Sequence, residues 1–598
     1  MSQHTYYESR INLLEAENKT LKKKSLLFSW MRSVLFICFV AFIILFFTVG
    51  HYYVFILFSF SFFISFIVLA NKHNLLEENI LVLFYKIQIN KDEILFLNHS
   101  FHHRKSGTEF ENINPYLSND FDLFGKGSLF QYLNRCNTSL GQKMLAQKLC
   151  YPGKDTTLIV KKQSAINELC IKNDYLQNIQ SYSKLIFDNK NEISILLEWI
   201  NEPDEDFKKS RIIAFLSGSL NIIWLLLSAF GIFTWSSFIL PISLSLLFIH
   251  LHKNLISRYY SRINNTVGIF AKYAKVLKLI EDEHFDSEYL RSLQNNLKVH
   301  ETKASESLNS LFKILNAFEI QHNALISFLL NSLFLFDIHV CYRLHEWRKK
   351  QRDEVEKWFS TISEFEVLLS FATFSFNNKE NVTYPTLSTD DLFQIDAVEL
   401  GHPLLNQDIR VNNDFFVHGV PSIQIITGAN MAGKSTFLRT LAVNLLLAMN
   451  GSPVIAKKLS FFPCDIFSSI KVQDSLTNNE SYFYAELLRL KDIIEHVRNN
   501  PNTLVILDEI LRGTNTKDKL TGSIGILKKL INLNAMVIIA THDLSIAELE
   551  NTYPGIVMNN CFEVELADDQ LFFDYKLKAG ISKKLNASFL MKKMEIID

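Results

Sequence analysis

Two long stretches of the sequence contain no Asp, Glu, Lys or Arg, and they limit the possible folds more than any other feature. The first covers residues 33–71 and the second residues 212–252. Each is about twice the roughly 20 residues that one helix needs to cross a bilayer. Weak breaks at residues 50–53 and 234–237 predict two helical hairpins with four membrane spans. The alternative is a pair of buried helical hairpins inside a large soluble core.

Basic residues flank both runs on their outer sides and do not occur in the turns between the spans. Lys22, Lys23, Lys24 and Arg32 precede the first run and Lys72 follows it, while Lys208, Lys209 and Arg211 precede the second run and Lys253, Arg258 and Arg262 follow it. Because positive loops stay on the cytoplasmic side, we expect a multi-pass membrane protein whose large segments are cytoplasmic. The seven cysteines form no Cys-x-x-Cys pair, which argues against zinc and fits a reducing compartment.

The overall composition excludes several classes of protein. A hydrophobic content of 48% with only 19 Gly and 11 Pro in 598 residues excludes disorder and collagen-like repeats. The 61 basic residues nearly balance the 62 acidic ones, so the net charge of −1 does not indicate a nucleic-acid partner. The length predicts three or four structural units.

The pattern along the chain predicts a multidomain protein with a long-helix, all-α core or lever and a C-terminal α/β domain. The core lacks Gly and Pro almost completely between residues 256 and 375. A third apolar stretch, residues 324–336, is too short to span a bilayer and is predicted to be a buried helix. The predicted segments are an amphipathic N-terminus (1–27), hairpin 1 (28–71), a connector with the first part of the core (72–205), hairpin 2 (206–255), the lever (256–376) and the α/β domain (377–598).

A glycine-rich loop follows the first strong strand of the α/β region. Residues 428–435 read Gly-Ala-Asn-Met-Ala-Gly-Lys-Ser and lie between the apolar strand 423–427 and a helical pattern over 436–449. This spacing is typical of a phosphate-binding P-loop, whose backbone N–H groups and helix N-terminus bind phosphates. Lys434 is then expected to reach the β- and γ-phosphates of ATP, and the Ser435 hydroxyl to bind Mg²⁺.

Two further apolar strands end in polar residues. Residues 504–507 are followed by Asp508 and Glu509, and residues 536–540 are followed by Thr541 and His542. A buried strand rarely ends in two acids without a use for their charge. Asp508 is placed to hold Mg²⁺, Glu509 to orient or deprotonate a water, and His542 to contact the γ-phosphate.

These motifs resemble those of the MutS family of DNA mismatch repair ATPases. The family's Gly-Pro-Asn-Met-Gly-Gly-Lys-Ser-Thr loop is matched by Gly428, Asn430, Met431, Gly433, Lys434, Ser435 and Thr436. Its Asp-Glu-x-x-Arg-Gly-Thr and Ala-Thr-His motifs are matched by Asp508, Glu509, Arg512, Gly513 and Thr514 and by Ala540, Thr541 and His542. Residues 401–405 resemble the family's His-Pro turn, and residues 122–141 the start of its helical core.

The resemblance implies ATP and Mg²⁺ as ligands, catalysis by Glu509, His542 and Lys434, and a homodimer formed through the ATPase domains. In the family a serine of one subunit reaches the nucleotide of the other, and that serine corresponds to Ser481. The implied biological role is the recognition of mismatched or otherwise structured DNA.

Four departures from the family pattern qualify that role. The signature loop carries Asn479-Glu480 where the family has Gly-Arg, and an acid near a triphosphate is electrostatically unfavourable. The N-terminal region lacks a Phe-x-Glu motif, so we expect no mismatch-reading domain. Hairpin 2 interrupts the core, and a C-terminal helix–turn–helix is expected to be absent or vestigial.

DNA binding is the inherited property with the weakest support in the residues. The helical core carries many basic residues, but Asp and Glu are interleaved among them, as on an ordinary solvated helix face. The basic residues are Lys272, Lys275, Lys278, Arg291, Lys298, Lys303, Arg343, Arg348, Lys349, Lys350 and Arg352. Two alternatives therefore remain: a membrane-tethered nucleotide switch or scaffold with weak ATPase activity, and an ATP-driven membrane transport component.

Overall fold

The structure is a computed structural model of the chain. It describes residues 2–582 except 51–52, 187–191, 203–207, 255, 258–266, 300–301, 320–322, 389–392, 472–481 and 568–569.

The N-terminal part is a pair of very long antiparallel helices, α1 (Gln3–Thr48) and α2 (Tyr53–Leu97). Their bounds differ from the predicted segments, because both helices continue without interruption through residues 27 and 71. The expected short amphipathic helix is therefore the first part of α1. Beyond the uncharged run, Leu14 packs against Leu83 and Ile87 between the two helices. The apolar run itself is solvent-facing on most of its surface, with Ile37 65% exposed.

The core begins after a short turn and consists of helices joined by brief connections. A 3₁₀ turn (Thr108–Ile113) precedes them. The helices are α3 (Pro115–Asp120), α4 (Leu129–Leu133), α5 (Ser139–Cys150), α6 (Thr156–Ile171), α7 (Asn173–Lys184) and α8 (Glu192–Ile200). Most begin at a polar cap, as where the Thr138 hydroxyl accepts a hydrogen bond from the N–H of Gly141.

A buried ionic cluster joins the base of hairpin 1 to this core. Glu93 of α2 is only 2% exposed and accepts hydrogen bonds from both the Nε and the Nη2 of Arg135, at 3.1 and 2.9 Å. Arg104 Nη2 and Asn377 Nδ2 donate to the same carboxylate at 3.2 and 2.7 Å. The hydroxyl of Tyr7, near the start of α1, donates to Asn377 at 2.7 Å. Both long helices thus take part in one buried hydrogen-bonded cluster with the core.

The second uncharged run forms a hairpin of α9 (Lys208–Ala229) and α10 (Ile239–Leu251), with a 3₁₀ turn (Trp235–Phe238) between them. Within the described residues, α1, α2 and α9 are long and apolar enough to cross a membrane. The apolar segment Trp235–Leu251 is shorter than the 18 residues of such a span.

The third apolar stretch is not the buried helix that its length predicted. It forms α14 (Ala324–Phe334), which packs against α9 and α10 but leaves its outer face uncovered. Leu325 is 78% exposed and Phe328 54% exposed. An 82° bend at Leu335, whose φ is 49°, separates α14 from the next helix. The prediction failed because hydrophobicity shows that a helix avoids water but not what covers it.

The remaining core helices run from hairpin 2 to the α/β domain. They are α11 (Val267–Asp282), α12 (Glu288–Asn295), α13 (Ala304–Glu319), α15 (Phe336–Gln351) and α16 (Val355–Asn377), with a small hairpin of β1 (Lys298–Val299) and β2 (Thr302–Lys303) before α13. Helix α16 is buried along most of its length and ends where the α/β region begins.

The C-terminal domain contains a six-stranded sheet in the order β10-β11-β12-β7-β13-β14, parallel except for β14. Its strands are β7 (Ser422–Gly428), β10 (Asp465–Ser469), β11 (Thr503–Asp508), β12 (Met536–Thr541), β13 (Val557–Ala567) and β14 (Gln570–Ala579). Smaller strands are β3 (Val382–Thr383), β4 (Thr386–Leu387), β5 (Gln394–Leu400), β6 (Asn413–His418), β8 (Val454–Ile455) and β9 (Lys458–Phe461). The helices are α17 (Lys434–Met449), α18 (Tyr482–Asn499), α19 (Thr516–Asn532) and α20 (Leu549–Thr552).

The central strands are buried on both faces, as parallel strands require. Ile426 and Ile506 face the core that contains α17, while Ile425 and Val505 face the side that contains α19. The strands β7, β11 and β12 run in the same direction, with Asp508 paired to Ala540 and Thr541 to Thr427. The polar residues at their carboxyl ends therefore meet at one edge of the sheet.

Candidate functional site

The glycine-rich loop turns from β7 directly into α17. Gly428 has a φ of 152°, and a Cβ there would lie 2.7 Å from the carbonyl oxygen of Phe562. Gly433 has a φ of 105° and precedes the first turn of α17. Because side chains rarely adopt these conformations, both glycines are required by the turn. Met431 also has a positive φ, of 68°, and its side chain is 80% exposed.

Lys434 lies under the loop, where it contacts the loop's own backbone. Its Nζ donates hydrogen bonds to the carbonyl oxygens of Gly428 at 2.7 Å and Ala429 at 2.9 Å. Burial lowers the pKa of Lys434, against the opposing effect of the Glu509 and Asp508 carboxylates. The ammonium group is thus held at the mouth of the loop, at the N-terminus of α17, where both favour an anion.

Ser435 and Asp508 form the second part of the site. The Ser435 hydroxyl donates to Asp508 Oδ2 at 2.5 Å. Burial raises the pKa of Asp508, while the Ser435 hydrogen bond and the charge of Arg512 oppose that rise. One hydroxyl beside one carboxylate suits Mg²⁺ that arrives with phosphate oxygens, because Mg²⁺ keeps several non-protein ligands. Over the described residues, no cluster of three His, Cys, Asp or Glu side chains is arranged to hold a metal by itself.

Glu509 is presented at the end of β11 by a strained turn. Its φ is 49°, and its N–H donates to the carbonyl oxygen of Ala540 at 2.9 Å. The carboxylate lies 3.3 Å from His542 Nδ1 and 3.6 Å from Arg512 Nε. A non-glycine residue in the left-handed region is uncommon and often marks a functional position. Contacts with His542 and Arg512 hold the Glu509 carboxylate beside the loop.

The turn after Glu509 is held by a carboxylate from α18. Glu486, only 2% exposed, accepts hydrogen bonds from the backbone N–H groups of Leu511 at 2.6 Å and Arg512 at 3.2 Å. Burial raises the pKa of Glu486 against these hydrogen bonds. A Cβ on Gly513 would lie 2.9 Å from Phe483 Cβ, so α18 and this turn are in close contact. The start of α18 is therefore coupled to the position of Glu509.

A cavity of about 630 Å³ opens beside the loop. The predicted residues Asn430, Met431, Gly433, Lys434, Ser435, Thr436 and Glu509 supply polar groups to its lining. Ile409, Phe562 and Tyr575 add apolar and aromatic surface. His402 also lines it, and burial lowers the pKa of that imidazole to about 4, so it is neutral at pH 7. The cavity wall thus combines the polar groups of the loop with aromatic side chains.

Sequence reasoning identified the polar residues that line this cavity and missed the aromatic ones. Tyr575 belongs to β14, more than one hundred residues beyond the loop, and a Cβ on Gly433 would lie 3.1 Å from its ring. Its positive φ of 51° has no signal in the sequence. Asp508 and His542 lie at the site, bonded to Ser435 and next to Glu509 respectively. Ser481, with Asn479 and Glu480, lies outside the described residues.

The fold and the site define a helix-rich protein with a C-terminal α/β domain that carries a glycine-rich loop at a strand-to-helix turn. Two family models match the sequence: MutS domain III over residues 111–372 and MutS domain V over residues 424–594. The chain therefore belongs to the MutS family. The domain III match extends across the second uncharged run.

Individual relatives agree with this assignment. The chain is 31% identical over 259 residues to the DNA mismatch repair protein MutS of Alkaliphilus metalliredigens, which covers 42% of this chain and 29% of the relative. It is 32% identical over 207 residues to MutS of Thermotoga neapolitana, covering 34% and 25%. It is 31% identical over 241 residues to MutS protein homolog 4 of Mus musculus, covering 38% and 24%. The chain thus matches only about a quarter to three tenths of each relative's length.

Proposed function

We propose that this protein is a membrane-anchored MutS-like ATPase that works as a homodimer and couples ATP-driven closure to the binding of DNA. The observation that carries the proposal is the meeting of five groups beside a cavity of about 630 Å³: Lys434, Ser435 and Glu509 line it, Asp508 is bonded to Ser435, and His542 lies next to Glu509. Three separate segments of the chain supply these groups, and each has the chemistry that phosphoryl transfer to water requires.

Each residue has a distinct role in this proposal. ATP places its phosphates in the loop, where the Lys434 ammonium exchanges two backbone carbonyls for phosphate oxygens. Ser435 and Asp508 hold Mg²⁺, which neutralises charge on the phosphates. Glu509 accepts a hydrogen bond from the attacking water and orients it in line with the γ-phosphate. His542, beside Glu509, contacts the γ-phosphate and keeps the carboxylate in position.

ATP turnover of the purified full-length protein tests the enzyme. Glu509→Gln preserves the size of the side chain and removes the base, so turnover is expected to fall by about a hundredfold or more while ATP binding remains. Glu495→Gln is the matched control, because Glu495 is an exposed residue of α18 whose ion pair with Lys491 is 3.8 Å long. Equal and slow hydrolysis by the wild type and Glu509→Gln would rule out the ATPase.

A non-catalytic nucleotide switch is the second candidate, and one observation favours it. Asn479-Glu480 replaces the Gly-Arg pair of the family's signature loop, so an acid stands where the family has a cation. If the protein is a switch, the wild type and Glu509→Gln are expected to bind ATP with the same affinity, and neither of them hydrolyses it. Glu480→Arg then separates the two functions, because it is expected to raise turnover only if the loop completes a catalytic site.

The proposed dimer follows from the family's use of Ser481. Light scattering of Glu509→Gln with ATP is expected to give twice the protein mass found without nucleotide. In mixtures of Lys434→Ala and Ser481→Ala subunits, turnover is expected to recover, because each mixed dimer contains one intact composite site. No recovery would contradict a shared site.

DNA binding is proposed from family membership, and the core helices limit where DNA can bind. Several of the basic residues considered above already have internal partners: Lys275 pairs with Glu78, Lys303 with Asp282, and Arg352 donates to backbone carbonyls. Arg348 is 1% exposed and lies over Trp199. Salt-dependent binding to duplexes with and without a mispair tests the proposal, and no binding at low salt would refute it.

The membrane attachment is proposed from the helices α1, α2, α9 and α10, whose apolar surfaces face outward. All the large segments are then cytoplasmic. A topology reporter fused at Tyr52 is expected to report the outer side of the membrane, while one fused at Asn500 reports the cytoplasm. A cytoplasmic signal at Tyr52 would refute hairpin 1 as a pair of spans.

A further inference from the structure

A large cavity lies outside the nucleotide site, between α13 and α15. Its volume is about 1010 Å³, and it begins beside Phe336, the first residue of α15 after the bend from α14. The proposed ATPase chemistry makes no use of it.

The cavity lies level with the charged residues that directly precede hairpin 2. Tyr342, which lines the cavity, has the guanidinium of Arg211 4.1 Å above its ring. Arg211 is the last charged residue before the uncharged run 212–252. Helix α14, which directly precedes α15 in the chain, exposes an apolar face next to the same spans. In a membrane, this level is that of the lipid headgroups.

The charged residues of the cavity are mainly basic. Lys313, Arg343, Lys349 and Lys350 line it and are exposed, against two acidic residues, Glu306 and Glu346. Phe336, Tyr342 and Trp347 supply aromatic surface on the same wall. Basic pockets flanked by aromatic side chains at the cytoplasmic interface bind anionic headgroups.

Two buried polar side chains of the cavity lack partners. Ser307 is 6% exposed and Gln351 is 4% exposed, and both line the cavity. The Ser307 hydroxyl and the Gln351 Oε1 have no hydrogen-bond partner among the residues that the structure describes. Unsatisfied buried polar atoms are costly and commonly mark a missing ligand or water. The hydroxyl can donate to a phosphate oxygen, whereas Oε1 requires a donor from the ligand.

We propose that the cavity between α13 and α15 binds the headgroup of an anionic phospholipid that carries a free hydroxyl group. Lys349 and Lys350 attract its phosphate, the Ser307 hydroxyl donates to a phosphate oxygen, and Gln351 accepts a hydrogen bond from the headgroup hydroxyl. A lipid fits better than a DNA backbone, because Ile314, Phe336 and Val340 add apolar lining to the cavity and the exposed apolar face of α14 directly precedes α15. This inference rests on the membrane attachment proposed above.

The test measures the lipids that remain bound to purified full-length protein. The protein is reconstituted in phosphatidylcholine bilayers that contain 10% phosphatidylglycerol or 10% phosphatidylmethanol, which has the same charge but no free hydroxyl. Bound lipid is then counted by native mass spectrometry, and we expect phosphatidylglycerol to be retained preferentially. K349Q/K350Q is expected to reduce that retention by about tenfold. The matched control K457Q/K458Q changes another exposed adjacent lysine pair, on the α/β domain, and retains the wild-type value.

Two milder variants test the contacts directly. Ser307→Ala removes a hydroxyl with no partner in the described structure, so it leaves folding intact and lowers retention of both anionic lipids. Gln351→Met preserves the side chain's size and abolishes the preference for phosphatidylglycerol over phosphatidylmethanol.

Several outcomes would overturn the proposal. The first is equal retention of phosphatidylglycerol by K349Q/K350Q and K457Q/K458Q. The second is displacement of the bound lipid by millimolar inorganic phosphate as effectively as by added lipid. The third is a loss of duplex DNA binding in K349Q/K350Q while its lipid retention is unchanged. ATP turnover and the topology reporter are measured on the same wild-type preparation. If lipid retention fails the test while ATP turnover and the topology reporter give the expected results, the proposed function still stands.

Discussion

Replacing Glu93 by Gln is expected to weaken the attachment of hairpin 1 to the core. The Glu93 carboxylate receives hydrogen bonds from Arg135, Arg104 and Asn377 in a site that is 2% exposed. Glutamine has the same size but no charge, so the Arg135 guanidinium, 3% exposed as a side chain, loses its counterion. Removing one partner of a buried ion pair costs about 3–5 kcal/mol.

The effect of Glu93→Gln depends on pH in a direction set by the pKa of Glu93. Burial alone would raise that pKa, but Arg135 and Arg104 outweigh burial and hold it below the usual range. Stability from the carboxylate is therefore present above the unfolded pKa of about 4.3 and is lost as the pH falls through the folded pKa. The wild type and variant are expected to differ at pH 7 and to converge below about pH 4.

Thermal unfolding of the purified full-length protein in detergent, followed by tryptophan fluorescence, measures this effect. A cost of about 3–5 kcal/mol corresponds to a fall in the midpoint of about 2–4 °C, because the unfolding entropy of a 598-residue chain is about 1.3 kcal/mol/K. Glu15→Gln is the control, since Glu15 on α1 forms an ion pair with Lys91 at 2.8 Å in which both side chains are about half exposed. Such a pair contributes about 0–1 kcal/mol. Equal midpoints for the two variants at pH 7 would show that the buried cluster does not hold the hairpin.

Three further predictions concern the core and the nucleotide site. Glu366→Gln is expected to stabilise the protein at pH 8. Burial raises the pKa of Glu366 to about 7, so the stability that the protonated carboxyl group contributes is lost as the pH rises from about 4.5 through 7. Denaturation midpoints of the wild type and the variant at pH 5 and pH 8 measure this, and a difference between the two proteins that is the same at both pH values would contradict it. Gly141→Ala is expected to cost about 1–3 kcal/mol, because its methyl group would overlap the Glu366 carboxylate, and Gly153→Ala, with open space around it, is the control in the same denaturation assay. Tyr575→Ala is expected to weaken ATP binding by about tenfold through loss of the aromatic wall, whereas Phe572→Ala on the same strand leaves the Kd for ATP unchanged.

The polar residues of the proposed nucleotide site were predictable because their signals are local. A loop of eight residues between a strand and a helix has its geometry set by its own glycines, and Lys434 and Ser435 follow from it. The acids at the end of β11 are predictable for a similar reason. Parallel strands place their carboxyl ends at one edge, so Asp508 and Glu509 had to lie near the loop once the sheet formed.

Other parts of the site and the core were not predictable, since they depend on contacts between distant segments. Tyr575 reaches the cavity from β14, and Glu486 holds the turn after Glu509 from α18. The partners of Glu93 come from three places in the chain, at Arg104, Arg135 and Asn377, and none of them has a sequence pattern that indicates pairing. The predicted burial of α14 was wrong for the same reason, because packing decides which apolar helix is covered.

By itself, the sequence determined which segments avoid water and which residues form the glycine-rich loop and the acidic strand end where phosphate and Mg²⁺ binding is proposed. Both properties follow from short stretches of side chains and from the local geometry of the backbone. Only the tertiary structure decided that hairpin 1 continues as two helices of 46 and 45 residues, that Glu93 meets its buried partners in the core, and that α14 lies beside hairpin 2. These arrangements depend on which distant surfaces meet, and the free energy of that packing is a property of the whole fold rather than of any one segment.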